Sequence, residues 1–481
     1  MSDLSWPLAR AARLFASEVA VVDGERAVTY GELDRRVRAL GGLEAERVGY
    51  LGANSLGHME CWLGLPAFGK VLVDLNYRLS AAELAFMVQD AELDVLIVDD
   101  ERRDVGDALG VPVLSPDGYE ALVAGPPQAL PGVDEDALAA ISYTGGTTGT
   151  PKGVMLSHRN LVANALHNLA VTGHAAQDRW LHVCPMFHVA GTSNVFACTW
   201  VGARSVILPR FDARAVLAAV AQHGITHAVF VPTMLALLLE AADGSDVSSL
   251  RHLQYAASPI SPDLQRRVLE WLPDCDVVQF YGMTEAAPTV TRLSRADHDV
   301  RPTSMGVPVP GVQAEVRAPR GEVGELWVRG PNVMLGYWNR PDATAAALVD
   351  GWYRTGDLAR EDEDGYLFIV DRAKDMIITG GENVYSVEVE AVLASHPAVA
   401  EVAVFGVPSE RWGEAVHAVV VAGGDVSEAE LIAWCRESLG GFKVPRAITF
   451  SDEPLPKSGA GKLLKHRLRD PFWEGHDRRV G

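Results

Sequence analysis

Two rhythms of apolar positions alternate along the N-terminal part of this chain. Short, nearly continuous apolar runs occur at 19–22, 48–51, 71–73, 95–98, 139–142, 154–156, 205–208, 228–231 and 277–280. Between many of them lie longer stretches in which apolar residues return every three or four positions, at 57–68, 81–90, 160–171, 213–223 and 232–242. The first rhythm predicts buried strands and the second amphipathic helices. Strands alternating with helices predict an α/β fold built on parallel sheet. Residues 1–22 predict an amphipathic helix running into a strand. Thr29 predicts a helix N-cap, with Glu32 three residues on completing a capping box. Residues 121–131 read as a surface connection.

From about Gly306 the rhythm changes. Short runs at 313–316, 324–328 and 366–370 are broken by Pro, Gly and Asp, which predicts a small β-rich subdomain. Beyond Asp371 a compact α+β segment is expected, with helices near 387–395 and 428–439 and strands at 401–405 and 417–421. We place a domain boundary there, giving an N-terminal domain 1–370 of two α/β subdomains plus the β-rich one, and a C-terminal domain 371–481. A chain of 481 residues is too long for a single core.

Charge narrows the choice of partners. The chain carries 42 Lys and Arg against 63 Asp and Glu, a formal net charge of −21. That balance argues against nucleic acid and anionic membrane surfaces. It also means that an anionic ligand needs local cations. The five cysteines, at 61, 184, 198, 275 and 435, form no CxxC pair, so a zinc site or disulfide framework is not expected. Free thiols suit a reducing cytoplasm. No signal peptide or membrane span is expected.

Between the runs at 139–142 and 154–156 lies Tyr143-Thr144-Gly145-Gly146-Thr147-Thr148-Gly149-Thr150-Pro151-Lys152-Gly153. A strand entering and a strand leaving is the simplest reading. Glycines let backbone approach a ligand closely, and successive N–H groups can form a nest for an anion. Threonine hydroxyls and Lys152 add donors and a cation. The spacing is not that of a Walker A loop, and composition alone leaves a flexible surface turn open. Gln279-Phe280-Tyr281-Gly282-Met283-Thr284-Glu285 ends another run. Tyr281 can stack on a planar base, and Glu285 is a hard oxygen ligand suited to Mg2+; alone, the stretch also reads as an exposed turn.

The first loop resembles the signature loop of the adenylate-forming enzymes, which include acyl- and aryl-CoA synthetases. Five further stretches resemble that family's motifs in its order: Pro185-Met186-Phe187-His188-Val189-Ala190-Gly191, Tyr255-Ala256-Ala257-Ser258-Pro259, the 279–285 stretch, Trp352-Tyr353-Arg354-Thr355-Gly356-Asp357, and Leu455 to Lys462. Three positions depart from the usual pattern: Gly145 stands where most members carry Ser or Thr, Ala256 where they carry Gly, and residues 39–48 are compressed, so a shortened helix is expected.

The resemblance implies ATP, Mg2+ and coenzyme A as cofactor and co-substrates, with a small carboxylic acid as substrate. It implies nucleotide contacts from Thr144, Gly145, Gly146, Thr147, Thr148, Gly149, Lys152, Ala257, Gln279, Phe280, Tyr281, Gly282, Met283 and Thr284. Thr144 and Glu285 are implied at the metal, and Asp357 with Arg372 at the ribose. His188, Val189, Ala190, Gly191, Ala256, Phe280 and Gly282 are implied at the acyl group. Lys374, Gly380, Gly381 and Lys443 are implied at coenzyme A, with Asp371 as a hinge. The implied catalytic groups are His188, Thr284, Glu285 and Lys462. Lys462 would offset charge developing as a carboxylate attacks the α-phosphate.

The expected activity is an ATP-dependent acid–thiol ligase that passes through an acyl-AMP. The alternative is a stand-alone adenylating enzyme serving a carrier protein or another nucleophile. A homodimer is compatible with either. A nucleotide sensor without activity would be expected to lack Lys462 or Glu285, and both are present. Gly282 stands where acetyl-CoA synthetases close the pocket with Trp, and Phe280 offers no charge for a second carboxylate. A monocarboxylic acid, medium-chain or aromatic, is therefore expected.

Overall fold

The structure is a computed structural model, and it describes residues 3–144, 151–258, 260–379, 382–409, 411–457 and 463–474. The chain divides into two compact units: Met1–Ala314 with Val328–Tyr353, and Glu315–Trp327 with Arg354–Gly481.

The larger unit holds two sheets. In the seven-stranded one, Arg47–Leu51, Val71–Asp74, Val95–Val98, Val113–Leu114 and Leu138–Thr144 run parallel, while Lys152–Ser157 turns back antiparallel and pairs with Gly336–Tyr337. In the nine-stranded one, six strands run parallel: Val19–Asp23, Arg204–Ile207, Arg179–His182, His227–Phe230, His252–Tyr255 and Asp276–Gly282. Most of these strands coincide with the short apolar runs of the sequence, and most of their apolar residues are buried because helices cover the sheets. The fold class is α/β, as the alternation predicts.

Local chemistry starts the helices where expected. Ser80 and Glu83 form a complete capping box on Ala81–Asp90. Thr29 makes half of one, its hydroxyl accepting from Glu32 N–H ahead of Tyr30–Ala39. That helix ends in a single 3-10 turn, Leu40–Gly42, which is the shortened form the compression predicts. The helix Pro116–Val123 overlaps the first residues of the expected 121–131 connection. Ser115 caps it and Pro116 supplies the fixed φ of a first turn.

In the smaller unit, Leu367–Arg372 pairs antiparallel with Asp357–Glu361, the end of the ten-residue strand Trp352–Glu361, whose first two residues belong to the larger unit. Thr355-Gly356-Asp357, a turn on sequence alone, is thus strand. Gly356 adopts φ +71°, and its carbonyl accepts from Ala373 N–H, so the strand kinks there without ending. A second sheet joins Glu382–Val384, Ile377–Thr379, Gly413–Ala422, Val399–Ser409 and Ala447–Phe450. Helices Ser386–Ala394 and Glu428–Ser438 bury Val389, Leu393, Leu431 and Cys435 in the same apolar cluster as Val404 and Val416 from that sheet. All five cysteines are buried and unpaired. Among the described residues, no helix is long and apolar enough to cross a membrane.

Candidate active site

The strands on either side of the Gly/Thr stretch pair with each other, with Thr144 opposite Lys152 in the antiparallel register. Gly145, Gly146, Thr147, Thr148 and Gly149 lie outside the described residues. The rims of the loop are firmly held. Tyr143 donates to Asp90 at 2.8 Å, and Arg340 pairs with the same carboxylate at 2.8 Å. Gly153 leaves no room for a side chain, since a Cβ would meet Ile141 at 2.7 Å. Lys152 Nζ lies 5.1 Å from the ring centroid of Tyr337, a cation–π approach.

Tyr337 links that strand pair to the second loop. Its backbone pairs with Val154, and its hydroxyl donates to Glu285 Oε1 at 3.0 Å. Tyr353 hydrogen-bonds to Tyr337 in turn, and burial beside Glu285 pushes both phenols well above their ordinary range. They stay protonated and act as donors, which suits an ionised Glu285. Asn332, fully buried, donates to the carbonyls of Ala286 and Thr289 and fixes the turn Thr284–Ala286. Gly282 is obligatory here, because a Cβ would stand 1.8 Å from the carbonyl oxygen of Pro288. A pocket-closing Trp at 282 is incompatible with this backbone. Phe280 is buried, whereas Tyr281 is partly exposed, as alternation along the strand Asp276–Gly282 requires. Gln279 accepts from the Tyr255 hydroxyl at 3.1 Å.

His188 caps the four-residue helix Val189–Thr192, its Nδ1 accepting from Ala190 N–H at 3.2 Å. That bond puts the ring proton on Nε2. Burial pulls the imidazole down to about 4, so it is neutral at pH 7. The loop is clamped by Asn54, which donates to Cys184 O at 3.0 Å and accepts from Met186 N–H at 2.8 Å. Gly191 packs so tightly that a Cβ would lie 2.2 Å from Pro185 O. Ala257 holds φ +75°, a left-handed conformation rarely taken by alanine. Such backbone strain gathers at functional loops.

In the smaller unit, Asp357 and Arg372 face each other across the strands, Nε to Oδ1 3.4 Å. Asp371 is buried and accepts from the Ser386 backbone and hydroxyl. Burial lowers Lys374 to about 8. Lys443 pairs with Glu388 at 2.7 Å. Gly380, Gly381 and Lys462 lie outside the described residues. Thr144, Lys152, His188, Val189, Ala190, Gly191, Ala256, Ala257 and 279–285 thus belong to the larger unit. Asp357, Asp371, Arg372, Lys374 and Lys443 belong to the smaller.

Among the described residues, no group of three or more His, Cys, Asp or Glu could hold a metal ion. Glu285 and the Thr144 hydroxyl nevertheless suit Mg2+, which takes one or two protein oxygens and completes its shell with phosphates and water.

Sequence reasoning misses Tyr337, Tyr353, Asn54 and Asn332. Two of these carry a local signal: Tyr353 lies inside the Trp352–Asp357 stretch quoted above, and Asn54 sits in a Gly-Ala-Asn-Ser cluster just after a strand.

The family model "AMP-binding enzyme" matches residues 8–338, and "AMP-binding enzyme C-terminal domain" matches 388–462. The chain belongs to the AMP-binding enzyme family. It is 42% identical to a feruloyl-CoA synthase of an Amycolatopsis species, over 97% of this chain and 98% of that one. It is 38% identical to the fatty acid–[acyl-carrier-protein] ligase ScoC of Streptomyces coeruleorubidus, over 96% and 95%. The o-succinylbenzoate coenzyme A synthetase of Bacillus subtilis, solved in complex with ATP and magnesium ion, superposes with a TM-score of 0.87. It is 31% identical, over 96% of this chain and 99% of that one.

Proposed function

We propose that this chain is an AMP-forming acid–CoA ligase. It joins a monocarboxylic acid, aromatic or medium-chain, to ATP as an acyl-AMP with release of pyrophosphate. The coenzyme A thiol then displaces AMP to give the thioester. The observation that carries this reading is the Tyr353–Tyr337–Glu285 chain, which ends on a carboxylate while Lys152 lies against the same Tyr337 ring.

In this reading the Gly/Thr loop and Lys152 bind the phosphates. Bound magnesium, held by Glu285 and Thr144, would neutralise phosphate charge. Tyr281 stacks on the adenine beside the strained Ala257 turn. Neutral His188 offers its Nε2–H to the reacting carboxyl group without repelling a cation. Asp357 accepts from the ribose hydroxyls, with Arg372 beside it. Lys462 stabilises the charge developing at the α-phosphate. Asp371 serves as the hinge of a C-terminal domain 371–481, its carboxylate releasing Ser386 as it turns. Lys374, Gly380, Gly381 and Lys443 receive coenzyme A, and Lys443 leaves Glu388 to do so. Five buried, unpaired thiols favour a cytoplasmic setting.

The test is pyrophosphate release over a panel of carboxylic acids, with and without coenzyme A. Turnover that requires coenzyme A supports the ligase. Release that ignores it, with acyl-AMP accumulating, would instead point to a carrier protein or another nucleophile as acceptor.

A further inference from the structure

Tyr255 ends the strand His252–Tyr255, and its partner in the parallel register is Gln279. That rung is the last one between the two strands. Beyond it one chain enters Ala256 and Ala257, the latter at φ +75°, and the other reaches Phe280 and Tyr281. Residues two apart on a strand share a face, so Gln279 and Tyr281 lie on the same side. Past Ala257 the chain enters the helix Pro262–Trp271, capped by Ser261. Tyr255 and Gln265, ten residues apart, thus stand at the two ends of the segment that carries the strained alanine.

One hydroxyl ties these pieces together. Tyr255 is fully buried, and its phenol oxygen accepts from Gln265 Nε2 at 2.8 Å. The second amide proton of Gln265 goes to Pro302 O at 3.1 Å. A turned amide would set its oxygen against that carbonyl, so the orientation of Gln265 is fixed. The phenol proton goes to Gln279 Oε1 at 3.1 Å, with His298 Nε2 at 3.0 Å as a second acceptor. His298 Nε2 is an acceptor because the Nδ1–H of the same ring donates to Ser294 O at 2.6 Å. Burial pushes the phenol above its ordinary range, so it keeps the proton that it donates. Gln265 and His298 are also buried, and a buried network whose members satisfy one another rigidifies them.

We propose that Tyr255 is a positioning residue for ATP: its hydroxyl clamps Gln265 to Gln279 and so fixes the gap between the Ala257 turn and Tyr281 that receives the adenine. This rests on the ligase reading above, in which Tyr281 stacks on the adenine beside Ala257. Tyr255 itself acts through those two neighbours. A left-handed alanine persists only where its surroundings over-determine it, and a clamp on both ends of its segment does so. Holding a binding loop in its bound conformation lowers the ordering cost of the ligand. The adenine is held alike before and during attack at the α-phosphate. Loss of the clamp therefore removes uniform binding, which raises KM for ATP and leaves kcat in place.

The experiment measures kcat and KM for ATP at saturating acid and coenzyme A, on the wild-type enzyme, Tyr255→Phe, Gln265→Met and Tyr281→Ala. Tyr255→Phe keeps the ring and removes only the hydroxyl. Gln265→Met releases the clamp from its other end and serves if Tyr255→Phe fails to fold. Either is expected to raise KM for ATP about tenfold, with kcat held within a factor of about three. Inhibition by AMP should weaken in step, while inhibition by pyrophosphate, which has no adenine, should stay as in wild type. Unchanged kinetics overturn the role of Tyr255 and leave the ligase standing. So does a fall in kcat at unchanged KM for ATP, as lost packing alone would give, or pyrophosphate inhibition that weakens as much as that by AMP. Tyr281→Ala separates the two readings: if it leaves KM for ATP unchanged, the adenine lies elsewhere, and its placement falls together with this role. No thioester on any acid overturns the ligase reading, and this one with it.

Discussion

The hydroxyl of Tyr337 donates to Glu285 Oε1 across 3.0 Å, from 52 residues further along the chain. Hydrogen bonds to charged groups contribute about 1.5–3 kcal/mol. Tyr337→Phe removes this one and leaves Lys152 its aromatic ring. Pyrophosphate release at limiting magnesium should fall about ten- to a hundredfold, with partial recovery as magnesium is raised. A magnesium titration that superposes on wild type would show that Glu285 needs no such support.

Gly282 has no space for a side chain. Forcing a methyl against Pro288 O should cost about 1–3 kcal/mol in the manner of an overpacked core. Gly282→Ala is therefore expected to lower the urea midpoint and to depress adenylation with every acid alike. An unchanged midpoint would mean that the 287–288 backbone yields freely.

Phe280 is buried and shares its strand face with Gly282. Phe280→Gly should shift preference towards bulkier or longer acids, read as relative kcat/KM across a chain-length and ring-size series. An unchanged order of preference would remove Phe280 from the acid site.

Burial pulls His158, His167, His188 and His227 down to about 4 and His182 to about 3. At pH 7 these rings are neutral in the folded chain and mostly neutral in the unfolded one, so their contribution to pH dependence is small there. As pH falls below about 6.5, the unfolded chain binds protons that the folded one refuses. Stability should therefore drop between pH 6.5 and pH 5. Glu60, Asp371 and Glu390, raised by burial, oppose this, but the five histidines set the sign. Urea midpoints at pH 7 and pH 5 give the check; an equal or higher midpoint at pH 5 contradicts it.

The parallel α/β architecture was readable because its strands are continuous apolar runs and its helices carry capped, periodic faces, as at 81–90 and 213–223. His252–Tyr255 escaped because two of its four residues, His252 and Gln254, place polar atoms on a buried face, and only partners distant in sequence make that tolerable. The strand Trp352–Glu361 escaped because Gly356 reads as a turn while it merely kinks the strand. Individual site residues were legible where a motif is local, as at 279–285. Tyr337, Asn332 and Asn54 were not, since each acts on a loop far away in sequence. Nor could the sequence reveal that Ala257 carries a positive φ, because alanine advertises no such backbone.

In the ligase reaction the acid attacks the α-phosphate of ATP. Turnover with a carboxylic acid labelled with oxygen-18 in its carboxyl group tests it directly, with products read by mass spectrometry. A thioester and an AMP that has gained one labelled oxygen are expected. Label in inorganic phosphate, with ADP formed in place of AMP, would contradict it.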